Sequence, residues 1–473
     1  MSYSIEPNYY QQYIFPPRLE DLLSPGHPAR YIRAYVSGLN LLGLGFKLSL
    51  GPDGRPHYAE TMKLSIWLYG YFRKVYSTRG MEYHCKNDIG FMWLSGLYRP
   101  DHSTLWKFFD DNRSAIKKLF KKITELAIKV GLVDFAIHAV DGTKIQGKVS
   151  TRTSWKYKSL ERMLKDVDES INEIMEKIES ANEEEQERNY ELPEELQDQE
   201  KLKEKIESAL QEMDRINREN LHKDDKDARM MKTGNNNKQM GYNCQAVVDE
   251  QSGLIVAQDV TNDENDTDML VPMIEKVEET TGRQADETVA DAGYYSPKQS
   301  LQTEEKGIEV LVNINKQILP ETDENKFHKS RFTFDETTDE FICPLGKRLT
   351  FERVKNNRQK KRKLRVYRCH HKSCCPESMN CSREKRGRSI EMGSHFLALQ
   401  RQIRKQKEPG NKEILARRKQ IIEPVFGTIK ENLRFRRFTV SGLDKVRTQW
   451  SLVCTVFNLR KLFKVWKEGK LVF

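Results

Sequence analysis

Hydrophobic and polar positions change their period several times along the chain, and the changes divide it into segments. Up to about Leu132 the spacing is helical. The stretch MKLSIWLYGYFRKVYS is too apolar for a surface helix and predicts a buried one. In RPDHSTLWKFFDDNRSAIKKLFKKI, Asp101 or Ser103 can cap a helix that carries Leu105, Phe108 and Phe109. Short helices joined by capped turns fit a helix-turn-helix-like DNA-binding unit and an ordinary helical bundle about equally well.

From Phe135 to Val140 (FAIHAV) an apolar run predicts a buried strand that ends at Asp141-Gly142, with a second β-like run, TKIQGKV, behind it. Leu160, Leu164, Val167, Ile171, Ile174 and Ile178 then recur in steps of four and three. Leu202, Ile206, Ala209, Met213 and Ile216 repeat the spacing beyond a polar stretch that contains Pro193. Two such seams predict a helical hairpin or coiled coil from about Trp155 to Leu221, either an isolated arm or a surface that a second copy covers. After KTGNNNKQM, GYNCQAVVD and GLIVAQDVT flank Glu250-Gln251-Ser252 as a hairpin. TDMLVPMIEKVEE reads as a helix, and the strand ETVA runs into Asp291. Ser296-Pro297-Lys298-Gln299 has the form of a capping box with proline at the first helical position, and GIEVLVNI follows as a strand. Cysteines and basic residues crowd 326–388, and the remainder reads as helical. The alternation predicts a mixed α/β sheet covered by helices.

Composition bounds the class. With 473 residues, 37% hydrophobic and 32% charged, the chain has room for two to four structural units. No apolar run approaches the length of a membrane span. The opening MSYSIEPNYYQQYIF lacks the basic stretch and apolar core of a signal peptide, so a cytoplasmic location is expected, with the eight cysteines reduced or bound to metal. The net charge of +10 conceals a segregation. From Phe341 onward there are 35 lysines and arginines against 10 acidic residues, whereas the first 340 residues carry 45 against 60. Such asymmetry points to a polyanion partner for the C-terminal third, although a solvated basic surface would have the same composition.

Three carboxylates stand where chemistry could use them. Asp141 and Asp291 each close an apolar run, and Glu423 enters a helix more than a hundred residues later. Phosphodiester cleavage with two cations about 3.5–4 Å apart needs hard carboxylates on rigid elements. Each position also has a plain reading. Asp141-Gly142 is a hairpin-turn signal, Asp291-Ala-Gly-Tyr a strand-to-helix turn, and Glu423 an acidic residue before a helix that restarts at Pro424.

AVDGTKI, VADAGYYS and RRKQIIEPVFGTIKENLRFRRF, in that order, resemble the three signature blocks of DDE transposases of bacterial insertion sequences. LYGYFRKVYSTRGMEY, RPDHSTLWKF and GYNCQAVVD with GLIVAQDVTNDEND resemble the branch that carries a coiled-coil insertion and a cysteine-rich segment. The resemblance implies a ribonuclease H-like catalytic core formed by 133–154, 228–325 and 389–466. Around it would stand an N-terminal helical, DNA-binding domain (1–132), a coiled-coil insertion (155–227) and a basic cysteine-rich insertion (326–388). It implies DNA as the partner, both terminal inverted repeats and target, with two Mg²⁺ ions (Mn²⁺ as substitute) on Asp141, Asp291 and Glu423. It also implies a homo-oligomer on paired ends and no membrane. The family's lysine, seven residues after the glutamate, falls on Lys430, which two helical turns would place on the face of Glu423, near phosphate. Where the family often has tyrosine and arginine before the glutamate, this chain has Ala416 and Lys419, with Arg418 adjacent, and Lys419 and Arg418 are expected with Lys430 to bind DNA.

Cys343, Cys369, Cys374, Cys375 and Cys381 fall within 39 residues. That density suggests tetrahedral Zn²⁺, and the irregular spacing is equally compatible with unliganded thiols. Cys375-Pro376 with Cys381 resembles the family's pattern, which makes Cys343, Cys369, Cys375 and Cys381 the candidate ligands. In Arg434-Phe435-Arg436-Arg437-Phe438 the arginines are expected to meet phosphate and the phenylalanines the core. A decayed or domesticated relative, acting as a sequence-specific repressor or as a nuclease, and a scaffold built on the helical hairpin are the competing readings. The chain has no P-loop, HExxH or GxSxG motif.

Overall fold

The computed structural model describes residues 18–47, 57–149, 154–182, 194–222, 224–233, 237–314, 326–357, 362–393 and 396–471. The opening stretch MSYSIEPNYYQQYIF and the polar stretch around Pro193 lie outside the described residues. Seven helices come first: α1 (Pro28–Ser37), α2 (Leu41–Leu44), α3 (Glu60–Phe72), α4 (Thr78–Asn87), α5 (Ile89–Ser95), α6 (His102–Asp111) and α7 (Arg113–Lys129). Helix α3 buries nearly every side chain, as its composition requires. Asp101 caps α6, accepting the Thr104 N–H at 2.6 Å, and Leu105, Phe108 and Phe109 are buried.

Strand β1 (Ile137–Gln146) runs straight through Asp141-Gly142. The expected strand end and following second run are one element, and the pair is no turn. Antiparallel partners along β1, from His138↔Asp249 to Gln146↔Gly241, hold it extended, and that long-range ladder outweighs the local preference of Asp-Gly. Next come β2 (Ser154–Lys156), α8 (Tyr157–Asn182), α9 (Glu194–Arg215) and β3 (Asn220–His222). The two helices share a small core of Leu160, Val167, Ile206, Ala209 and Met213, while Leu202 from the expected seam is 38% exposed. A short antiparallel β2–β3 ladder, unanticipated from sequence, closes the base of this arm.

The main sheet continues with β4 (Arg229–Lys232), β5 (Lys238–Asp249), β6 (Ile255–Thr261), helix α10 (Leu270–Thr281), β7 (Glu287–Ala290), α11 (Pro297–Glu305) and β8 (Val310–Val312). Strands β4 and β6 both pair with β5 on the edge opposite β1; β7 and β8 follow on the other side, parallel to β1. The expected capping box at Ser296 does not form. Its side chain makes no cap bond, and Gln299 instead accepts the Val271 N–H of α10 at 2.9 Å.

Five further strands make a second, antiparallel sheet: β9 (Thr333–Asp335), β10 (Glu340–Ile342), β11 (Arg348–Asn357), β12 (Arg362–Cys369) and, after the short α12 (Ser378–Cys381), β13 (Ser389–Met392). It has its own core around Phe332, Phe341, Leu349, Tyr367 and Ile390. Because β13 pairs with β12 and Phe396 joins this core, the unit extends past the expected limit at residue 388. Helices α13 (Phe396–Lys407), α14 (Asn411–Gly427) and α15 (Leu443–Lys467) complete the chain. Helix α15 packs on α7, α3 and β6, so the N-terminal helices and the main sheet share one continuous core.

Candidate active site

Strands β1 and β7 pair in parallel only as far as Val140↔Ala290, and the next residue on each strand is an aspartate. Asp141 and Asp291 therefore stand side by side where β7 ends and β1 continues against β5. Each carboxylate is oriented by its own backbone. Asp141 Oδ1 accepts the Gly142 N–H at 2.8 Å, and Asp291 Oδ1 accepts the Gly293 N–H at 2.7 Å as it caps a 3-10 turn over Ala292–Tyr294. The Oδ2 atoms face helix α14, where Arg418 lies buried between them rather than on the surface. Its guanidinium is 2.8 Å from Asp141 Oδ2 and 3.9 Å from Asp291 Oδ2. Burial raises the Asp141 pKa above the usual carboxylate value, and Arg418 opposes that rise.

Glu423 does not join the pair. It is exposed, whereas Arg418, Ile422, Val425 and Ile429 make the buried face of α14 and its extension. The expected restart at Pro424 is absent. Helix α14 runs through it, at the cost of the bond that a residue-424 N–H would have made. The chain then widens into a π-helical turn, Thr428–Asn432. Lys430, within that turn, is half-buried, whereas Glu423 is exposed. Burial lowers the Lys430 pKa, and Cys244, Glu431 and Asp141 lie close enough to raise it in part. Among the described residues, no group of three or more His, Cys, Asp or Glu side chains is arranged to hold a metal ion. Asp141 and Asp291 have the hard oxygen chemistry that Mg²⁺ requires, and in this arrangement the Arg418 guanidinium lies across their Oδ2 atoms.

A polar cluster missed from sequence lies against Gly142. Asp266 Oδ1 accepts from Asn243 Nδ2 at 2.6 Å and Gln245 Nε2 at 2.7 Å, with Lys144 Nζ at 3.5 Å. Tyr294 donates to Gln245 Oε1, which links the cluster to the turn behind Asp291. The signal was available in β5, where Asn243 and Gln245 stand two apart within the otherwise apolar run Met240–Val248 and so share one face.

The Arg434–Phe438 stretch lies along the end of β1, with Phe438 N–H donating to the Gln146 carbonyl at 2.9 Å. Phe435 and Phe438 are buried beside Tyr76 and Tyr242, and the three arginines are exposed. Arg436 bonds Glu431 and the Lys430 carbonyl, and Arg437 bonds the Gly147 and Lys148 carbonyls. Lys419 is exposed on α14.

In the second sheet Cys343, Cys369 and Cys381 pack against the edge of its core. Cys343 Sγ accepts the Lys347 N–H at 3.2 Å within the tight turn Cys-Pro-Leu-Gly-Lys, where Gly346 has φ 75°. Burial raises the pKa of both Cys369 and Cys381, and the neighbouring thiols of Cys343 and Cys375 add to the rise in each case. None of the eight cysteines is in a disulfide.

Two family models match the chain. Residues 342–463 match a transposase DDE domain, and residues 17–111 match a transposase domain (DUF772). The first match spans Arg418, Glu423 and Lys430; Asp141 and Asp291 fall outside both. No curated protein matches the chain.

Proposed function

As the chain belongs to the DDE transposases of insertion sequences, we propose that it cuts DNA at the terminal inverted repeats of an element and joins the freed ends to target DNA. The observation that carries this reading is the pairing of Asp141 and Asp291 at the end of the parallel β1–β7 ladder. The order β6-β5-β1-β7-β8, three antiparallel strands followed by two parallel ones, supports a ribonuclease H-like core. Asp141, Asp291 and, from α14, Glu423 are the carboxylates we assign to Mg²⁺, with Mn²⁺ as substitute. Lys430, Lys419, Arg434, Arg436 and Arg437 are assigned to DNA phosphates, and the N-terminal helical region to recognition of the ends. Cys343, Cys369, Cys375 and Cys381 are assigned to a structural Zn²⁺, supported by the packing of Cys343, Cys369 and Cys381 against one small core and by the turn at Cys343. Cleavage of two ends requires two active sites, so the working form is a homo-oligomer in the cytoplasm, with the α8–α9 arm as the contact between copies. Among the described residues no helix is long and apolar enough to cross a membrane.

Cleavage of a DNA fragment bearing the element's ends tests the reading. Asp141→Asn and Asp291→Asn are expected to abolish Mg²⁺-dependent cleavage while DNA binding survives, since an amide is nearly isosteric but a poor ligand for a hard cation. Glu423→Gln is expected to do the same. Wild-type cleavage by either aspartate variant would overturn the assignment of the pair; by Glu423→Gln, it would remove Glu423 alone.

A further inference from the structure

Each aspartate of the pair has one oxygen held by its own backbone, the Oδ1 atoms bound by the N–H groups of Gly142 and Gly293. The Oδ2 atoms, which neither of these backbone bonds engages, both face the Arg418 guanidinium. Resting on the assignment of Asp141 and Asp291 as cation ligands, we propose that Arg418 is their resident counter-ion: it competes with divalent cations for the same two oxygens and docks α14 in a register that keeps Glu423 outside the site.

Two carboxylates brought together at the end of a parallel strand pair repel each other, and a planar guanidinium can serve both at once. The contact is asymmetric. Arg418 makes a hydrogen bond to Asp141, whose side chain is 20% exposed, and a looser ion pair to Asp291, which is 41% exposed. Asp291 is therefore the open side, from which a cation can enter before the Asp141 bond breaks. Glu423 lies five residues beyond Arg418, roughly 140° around an α-helix, so both cannot face the aspartates in one docking of α14. The helix has places to yield: Pro424 removes a bond in its C-terminal half, and the π-helical turn follows at its end. Once displaced, the guanidinium stands beside Arg417 and Lys419 with DNA phosphate as its available partner.

Calorimetric titration of Mn²⁺ into the full-length, DNA-free protein tests the competition. Arg418→Met is expected to bind Mn²⁺ at least about tenfold more tightly than wild type, with Arg418→Lys in between. Adding Asp141→Asn to Arg418→Met is expected to remove the gain. A folded Arg418→Met protein that binds Mn²⁺ no more tightly than wild type, or a gain that survives Asp141→Asn, overturns the proposal. Should Arg418→Met not fold, hydrogen exchange in the wild type decides. Saturating Mn²⁺ is expected to speed exchange across residues 411–427, and unchanged exchange there overturns the proposal. Failure of the functional reading looks different: Asp141→Asn would still cut DNA, whatever Arg418 does to Mn²⁺ affinity.

Discussion

Asn458 on α15 holds both backbone polar groups of Ile255 on β6. Its Oδ1 accepts the Ile255 N–H at 3.0 Å, and its Nδ2 donates to the Ile255 carbonyl at 2.8 Å. The amide acts as a strand partner at the point where the β5–β6 register slips, next to Val247 and Val248. Asn458 is fully buried, so its removal leaves a donor and an acceptor without water. Asn458→Leu is expected to lower unfolding stability by about 2–5 kcal/mol, measured by urea denaturation. A loss below about 1 kcal/mol would show that the backbone finds other partners.

Gly142 tests whether the polar cluster supports the aspartates. A Cβ there would come within 2.5 Å of Gln245 Nε2, 2.8 Å of Asp266 Oδ1 and 2.9 Å of Asn243 Oδ1. Gly142→Ala must push this cluster away from β1, at a cost of about 1–3 kcal/mol, and cleavage should fall more than DNA binding. Full cleavage activity in a protein of unchanged stability would mean that the cluster gives way freely.

Asp249 gives a pH dependence whose sign is fixed. Its carboxylate braces the turn into β1, accepting the N–H groups of Asp134 at 3.2 Å and Phe135 at 3.4 Å, where Phe135 has φ 66°. Burial pushes its pKa up, but His138 and the hydroxyl and N–H of Ser252 outweigh it and pull the value from 3.8 down to about 2. A depressed carboxylate stabilises the fold above its unfolded pKa and loses that contribution as pH falls through the folded one. The contribution is about 2 kcal/mol near neutral pH. The advantage of wild type over Asp249→Asn should therefore shrink between about pH 4 and pH 2. A gap in urea midpoints that stays constant across that range would assign the effect to shape rather than charge.

Protein purified without chelator is expected to carry about one Zn²⁺ per chain by elemental analysis. Replacing Cys369 and Cys381 by serine should release it and loosen the second sheet while the main core keeps its melting temperature, because the two cores are separate. Fully active protein without zinc would remove the four thiols from the ligand assignment.

Local signals in the sequence identified local structure. The cap at Asp101, the β5–β6 hairpin, the strand leading to Asp291 and most of the α8–α9 seam all follow from residues within a turn or two of one another. Asp141-Gly142 misled because its turn preference is local while its strand is held by partners about a hundred residues away. The bridge from Arg418 to Asp141 joins positions 277 apart and leaves no pattern in either neighbourhood. Pro424 misled for a related reason: tertiary packing of Ile421, Ile422, Val425 and Phe426 keeps a helix that proline alone would have ended.

Lys156 and Asn220 are cross-strand partners at the root of the α8–α9 arm, so the chain leaves the body of the protein and returns to it at a single place. Everything beyond that root is a closed excursion, and no distance inside the main sheet depends on how long it is. Whole helical turns could be gained or lost in both arms of the hairpin without moving Asp141, which lies fifteen residues before Lys156 on the same strand-to-arm path. Reach and chemistry are thereby free to diverge at different rates: what the arm touches can change from one descendant to the next while the carboxylates stay where they are.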